Sequence, residues 1–366
     1  MSTTQQPQSA TPTRVDPDRL AAFEERVVGA LNESALMLMV SIGHRTGLFD
    51  SMEDGEPVSS AELAERTGLQ ERYVREWLSA LAVGRIVEVD GAGRFRLPAE
   101  HAALLTRSAE ENAAVFAQYV AVMGAVEDDV VRCFREGGGV PYERYDRFHE
   151  VMAEDSGQTV LSALHDHILP LVPGLTERLA SGIRVLDLGC GRGLALLDMA
   201  ASYPASTFVG LDLSEEAIEY AREQAGARGL DNVRFEVRDT SDFDETAEPS
   251  AFDLVTTFDA IHDQARPAAV LRGIRRTLRP GGVYLMQDIH ASSELGNNMD
   301  HPLGPFLYTI SCMHCMTVSL AQGGEGLGTM WGRERALEML ERAGFDEVEV
   351  HRLEHDIQND YYVARA

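Results

Sequence analysis

Residues 184–193 read R-V-L-D-L-G-C-G-R-G, and no other segment restricts the fold so sharply. An aliphatic run ends in an acid, and glycines follow at alternate positions, Gly189, Gly191 and Gly193. A continuous apolar run of this length suits a buried parallel strand. Glycines at its end allow a tight turn and let a ligand approach closer than a Cβ would permit. Dinucleotide, phosphate and nucleoside sites all use such a turn. Asp187, two residues before the first glycine, favours a ligand carrying positive charge over a pyrophosphate.

Further βα units follow in order. F-V-G-L-D-L-S (208–214) reads as a strand ending in Asp212, where an acid can accept hydrogen bonds from ribose hydroxyls. V-R-F-E-V-R-D-T (233–240) reads as a strand ending near Asp239 and Thr240. A-F-D-L-V-T-T-F-D-A (251–260) supplies a fourth strand with Phe258 and Asp259 at its tip. L-R-P-G-G-V-Y-L-M-Q-D (278–288) reads as a Pro-Gly-Gly turn into a fifth, and two closing strands are expected within 347–365.

Taken together these motifs resemble the class I S-adenosylmethionine-dependent methyltransferases. The resemblance implies an α/β class, with a Rossmann-like seven-stranded sheet. It also implies S-adenosyl-L-methionine held by Asp187, Gly189, Gly191 and Gly193, with Asp212 and Leu213 at the ribose. Asp239 would then lie near the adenine, with Thr240 and Phe258 as further cofactor-binding residues.

The first half of the chain is read as mostly helical. Residues 18 to about 50 have helical apolar spacing that becomes apolar nearly all round, which predicts a helix buried either in its own core or against another chain. Residues 58–89 read as helix, turn at Gly68, helix, with Ser59 or Ser60 as cap and Glu62 near capping-box position. A hairpin around Asp90-Gly91-Ala92-Gly93 completes a winged helix. The expected divisions are a disordered tail at 1–17, a winged-helix dimerisation domain at 18–108, a helical connector covering the active site at 109–180, and the cofactor-binding domain at 181–366.

Charge separates two roles for the winged helix. The second helix carries Glu71, Arg72, Arg75 and Glu76, and is neutral, whereas a groove-reading helix is distinctly basic. The chain has 59 acids against 32 bases, a net charge of -27, which repels nucleic acid. The segment resembles the winged-helix module of small-molecule O-methyltransferases, which implies a homodimer and a small-molecule acceptor. The alternative is a DNA-binding regulator that senses S-adenosylmethionine.

All 32 bases are arginine, which excludes lysine Schiff-base chemistry and a Walker-type phosphate lysine. No continuous apolar run approaches the ~20 residues of a membrane span. Four scattered cysteines suit a reduced, cytoplasmic setting. Cys312 and Cys315 fall on one face of a helix and are expected to pack as small hydrophobes, with Cys315 a candidate for the pocket.

Ligands of open α/β sheets bind beyond the carboxyl ends of the strands, where His262 and His290 fall, with His314 on the helix that follows. The segment D-A-I-H-D-Q (259–264) resembles the O-methyltransferase stretch bearing the catalytic His-Asp pair, which implies His262 as general base beside Asp263. Gln264 stands where that family has tryptophan. His290 is a further catalytic candidate. A second resemblance, to metal-dependent α-keto acid C-methyltransferases, implies a divalent or ferric ion on Asp259, His262 and His314. The two readings of His262, base or metal ligand, stay open at this point.

Overall fold

The computed structural model describes residues 14–109 and 111–366. Most of the predicted tail lies outside the described residues. The chain divides into two compact units at residues 109/110.

In the first unit, helix α1 (Pro17–Thr46) is capped by Asp16, whose carboxylate accepts from the Asp18 and Arg19 amides, and stops at Gly47 in the left-handed conformation. Its buried residues begin only at Val40. Phe23 is 60% exposed and Leu31 69%. Of the two expectations, burial in its own core therefore fails for the first half of this helix. An 18-residue window of α1 reaches a mean hydropathy of 1.3, so by length and composition this helix is apolar enough to cross a bilayer. The run-based reading missed this because Asn32, Glu33 and Ser34 interrupt a stretch whose average stays high.

Helix α2 (Ser60–Thr67) starts in a reciprocal capping box, with Ser59 and Glu62 each bonded to the other's backbone amide. Helix α3 (Glu71–Val83) buries Val74, Trp77, Leu78 and Leu81 at helical spacing. The Trp77 indole donates to the Met39 carbonyl at 2.8 Å. On the outer face Arg75 is paired with Glu71 and Arg72 with Glu76. Strands β1 (Glu88–Val89) and β2 (Phe95–Arg96) form a short wing, widened by a bridge from Val58 to Phe95. Helix α4 (Ala99–Leu105) closes the unit.

The second unit opens with α5 (Ala114–Gly124), α6 (Glu127–Glu136), α7 (Phe148–Ser156) and α8 (Leu175–Ser181). There follow β3 (Arg184–Leu188), α9 (Leu194–Ser202), β4 (Thr207–Asp212), α10 (Glu215–Arg228), β5 (Val233–Val237), α11 (Phe243–Thr246), β6 (Phe252–Phe258), α12 (Pro267–Thr277) and β7 (Leu278–Ile289). Then come α13 (Gly304–Ile310), α14 (Met316–Ala321), α15 (Gly332–Ala343), β8 (Val348–His351) and β9 (Asn359–Arg365). The sheet order is β5-β4-β3-β6-β7-β9-β8, with β9 antiparallel to both neighbours. The sequence stretch 280–282 is not a separate turn. It lies inside β7 as an irregularity of the pairing with β6, with Gly281 at φ +77°.

Two apolar layers cover the sheet. One is built on Leu196, Leu197, Phe208, Ile218, Phe235 and Leu285. The other is built on Leu186, Val255, Ile274, Tyr284, Trp331 and Leu340. The strand order reverses at β3, where an open sheet parts its loops and makes a crevice at the carboxyl ends. A third cluster, with Tyr119, Val130, Tyr145, Phe148 and Val318, ties the connector helices to α14. Between α13 and α14 the helix widens into a π-helical turn, Ser311–Cys315. Such turns are frequent at functional sites because they displace side chains from the regular ladder.

Candidate active site

A cavity of about 1120 Å³ lies at the carboxyl ends of the strands, wholly within the second unit. Its cofactor half is framed by the glycine loop. Gly189 has φ +68°, and a Cβ there would stand 2.5 Å from the Ala260 Cβ. At Gly191, φ +53°, nothing lies within 4 Å of that position, so the loop leaves open space for a ligand. Asp212 accepts from the Gly191 amide and the Ser214 amide, both at 2.8 Å, and so holds the loop in place. Asp239 accepts from the Ser241 amide at 2.8 Å. Thr240 donates to Gln264, whose own amide donates to the Ala260 carbonyl. Gln264 thus stitches the loop after β5 to the tip of β6. Leu213, Phe258 and all three loop glycines line the cavity with these acids.

Asp187 also lines the cavity but is only 2% exposed. It accepts from the Thr256 hydroxyl at 2.8 Å, and burial pushes its carboxyl up to about 7. The expected strand-tip carboxylate is thus a buried one, and burial favours its protonated form.

The other half of the cavity is built around His262, which is buried and follows β6. Its Nδ1 lies 2.8 Å from Asp288 Oδ1. That oxygen also accepts from the Trp331 indole at 2.9 Å and the Ile289 amide at 2.8 Å. Burial opposes a charged imidazole here. The nearby Asp288, Cys315 and Asp263 outweigh it and raise the His262 pKa well above the ordinary value. Asp263, the acid expected beside this histidine, lies 3.6 Å from Nε2, beyond hydrogen-bonding reach. Its Oδ2 accepts from the Tyr142 hydroxyl at 2.8 Å, and burial pushes its carboxyl up to about 6. The orienting acid is therefore Asp288. Its place at the end of the fifth predicted strand was visible, but nothing in the sequence paired it with residue 262. Trp331 carried a faint signal as one of two tryptophans in the chain.

The aromatic residues Tyr142, Tyr145 and Phe148, with His149, line the cavity. Asp155 lines it too, accepting from the Tyr119 hydroxyl, and burial pushes its carboxyl up to about 7.

Two expected site residues lie elsewhere. The chain leaves β7 at Ile289, and the His290 amide donates to the Gln358 carbonyl. The His290 ring then pairs with buried Asp360, which Arg333 also holds, and it does not line the cavity. His314 is fully buried and stacks on Phe148 with ring centroids 3.5 Å apart. Both its nitrogens lack partners, and burial, with His149 and His262 nearby, pushes it well below the ordinary histidine value. Asp259 takes φ +50°, and its buried Oδ1 lacks a partner. Among the described residues, the groups that present three donor atoms within 4.8 Å of one another are Asp259–His262–Asp288 and His262–Asp263–Cys315. His314 belongs to neither, so the metal set Asp259, His262 and His314 does not fit this structure.

With this geometry in place, comparison with known proteins is decisive for the second unit. Residues 179–344 match the methyltransferase domain family. This is a methyltransferase domain. Residues 34–107 match the Rv2258c-like winged HTH domain family. A ubiquinone biosynthesis O-methyltransferase of Neisseria meningitidis is 33% identical over 109 residues, covering 30% of this chain. The match spans 45% of that relative, less than half its length. Human N-acetylserotonin methyltransferase, solved with S-adenosylmethionine, superposes with a TM-score of 0.67 at 18% identity, over 97% of this chain and 99% of its own. An O-methyltransferase family protein from Burkholderia thailandensis gives 0.64 at 18% identity, over 96% and 98%. At such identities the structural likenesses speak for the fold alone. The methyltransferase domain places its glycine loop and its buried histidine on one cavity.

Proposed function

We propose that the protein transfers a methyl group from S-adenosylmethionine to a small-molecule acceptor that His262 deprotonates. The observation carrying this reading is that His262, held through Nδ1 by Asp288, lines the same cavity as the Gly189–Gly193 loop. The residues fit the cofactor: the open space at Gly191, the Asp212 carboxylate and the buried Asp187 suit a ribose and a cation. When bound, S-adenosylmethionine supplies an electrophilic methyl group on a sulfonium.

The chain's own residues do the rest. The cavity walls hold the acceptor in line, which lowers the barrier mainly by orientation. Asp288 fixes the tautomer that carries the proton on Nδ1, so Nε2 is free to accept the acceptor's proton. The carboxylate then stabilises the imidazolium that forms. The relatives and structural neighbours named above are largely O-methyltransferases, which supports a hydroxyl acceptor.

The winged helix is read as an assembly element for a homodimer. Both arginines of α3 are engaged by glutamates on the same helix, which leaves no free cation there for phosphate, and exposed apolar side chains along α1 offer a self-complementary face. The test is a pair of measurements on one preparation: cofactor-product affinity by calorimetry for Asp212→Ala, and turnover of a phenol panel for His262→Gln. Unchanged affinity in the first, or unchanged turnover in the second, overturns the reading.

A further inference from the structure

Cys315 lines the cavity but has no part in the base chemistry. It closes the π-helical turn Ser311–Cys315 and is buried. Its thiol, the His262 imidazole and the Asp263 carboxylate each offer a donor atom, all within 4.8 Å of one another. The 3.6 Å between His262 Nε2 and Asp263 Oδ1 is too long for a hydrogen bond. It is close to the edge between two ligands that each sit about 2.1 Å from one tetrahedral ion. Asp263 Oδ1 is buried and without a hydrogen-bond partner.

Two of the three groups are also braced from outside. Asp288 holds His262 Nδ1, and the Tyr142 hydroxyl holds Asp263 Oδ2, both at 2.8 Å. The Thr329 hydroxyl, which also lines the cavity, is buried and has no hydrogen-bond partner. Outer groups of this kind orient metal ligands and fix which ring nitrogen is free. The alternative group, Asp259–His262–Asp288, also has unpartnered buried oxygens, Asp259 Oδ1 and Asp288 Oδ2, but it offers no thiolate, and Asp288 Oδ1 is engaged by three hydrogen bonds.

We propose that His262, Asp263 and Cys315 form a binding site for a zinc-class divalent cation, and that occupation of this site blocks methyl transfer by covering the Nε2 that serves as base. Three protein ligands leave a fourth position open to the cavity. A thiolate selects zinc over magnesium or calcium. On binding, the Cys315 S–H bond breaks, an S–metal bond forms and the proton leaves to solvent. Any proton on His262 Nε2 leaves the same way, and no redox change occurs. The blocking clause rests on the proposed role of His262, whereas the binding clause stands without it.

The experiment uses the full chain freed of metal by a chelator. Zinc is titrated against a competing chromophoric chelator, and cobalt(II) is added in parallel as a spectroscopic probe. The expected result is one zinc per chain and a thiolate-to-cobalt charge-transfer band. Cys315→Ala abolishes the band and weakens zinc binding by at least roughly 100-fold, while cofactor-product affinity stays within about twofold. Asp263→Asn is the second variant, and its zinc affinity falls while the band is kept. In the wild type, zinc inhibits turnover at the concentration that fills the site, and the chelator restores it. Absence of the cobalt band in the wild type, or zinc affinity unaltered by Cys315→Ala, overturns the site. Zinc bound as expected in a chain that transfers no methyl group overturns the blocking clause and the proposed function but leaves the site standing.

Discussion

The two halves of the cavity are built by different means. The cofactor half comes from short, contiguous stretches: the loop after β3 and the tips of β4 and β5. Its shape is held by backbone amides on Asp212 and Asp239, and by glycines that tolerate left-handed dihedrals. The other half is assembled from side chains far apart in the chain. Tyr142, His262, Asp288, Cys315 and Trp331 meet only because a connector loop, two strand tips and a π-helical turn converge. A loop of backbone amides can serve one cofactor under many acceptors. A convergence of side chains can change with few substitutions.

The largest effect expected from this contrast is at the base. His262→Ala should lower kcat/KM by roughly 10²–10⁴-fold, with cofactor-product affinity within about twofold. Calorimetry and steady-state kinetics on the same sample check this, and a matching loss of cofactor binding would dissolve the division into halves. Asp288→Asn should lower kcat by roughly 100-fold with little change in KM. Without the carboxylate the raised pKa of His262 falls, so the remaining activity should appear at lower pH than in the wild type. A pH–rate profile identical in shape would argue that Asp288 only supports packing.

On the cofactor side, Asp212→Ala should weaken S-adenosylmethionine binding at least ~10-fold, because its removal frees the Gly191 and Ser214 amides as well as any ribose contact. The smallest effect concerns pH. Asp187 is held up to about 7, so it is partly protonated at neutrality. A sulfonium favours its ionised form, and cofactor affinity should rise as pH climbs through 7, by less than about tenfold. The neutral thioether product should show a smaller rise, and equal slopes for the two ligands would sink this assignment. Stability should move the opposite way. Asp155 and Asp187 have folded pKa values raised to about 7, above the unfolded value, so the folded chain holds more protons between about pH 4 and 7. Their contribution is full at low pH and is lost as pH rises past 7. Thermal melts of Asp155→Asn should flatten that decline.

Much of the cofactor half could be read directly. Asp187, Asp212 and Asp239 are each placed by a strand that ends where its apolar run ends, and the glycines mark the turn between them. The burial of Asp187 could not be read, because it depends on Thr256 across the β3–β6 pairing. In the other half, His262 was legible because a local motif carries it, and Asp263 came with it as a sequence neighbour. That neighbour relation does not give the histidine's hydrogen-bond partner, which is 26 residues away on β7. His290 and His314 shared the right region of the fold but were turned toward Asp360 and Phe148.

The amino-acid order alone determined the parallel strands, the glycine turn, the capped helices of the winged unit and the acids at strand ends. All of these follow from local propensity and spacing, which act over a few residues. Only the tertiary structure decided which ring nitrogen meets which carboxylate, where the long first helix is left uncovered, and that Cys315 turns into the cavity beside His262. Those outcomes depend on register between strands and on one widened helical turn, and side chains tens of positions apart or more have no local signal that they will touch.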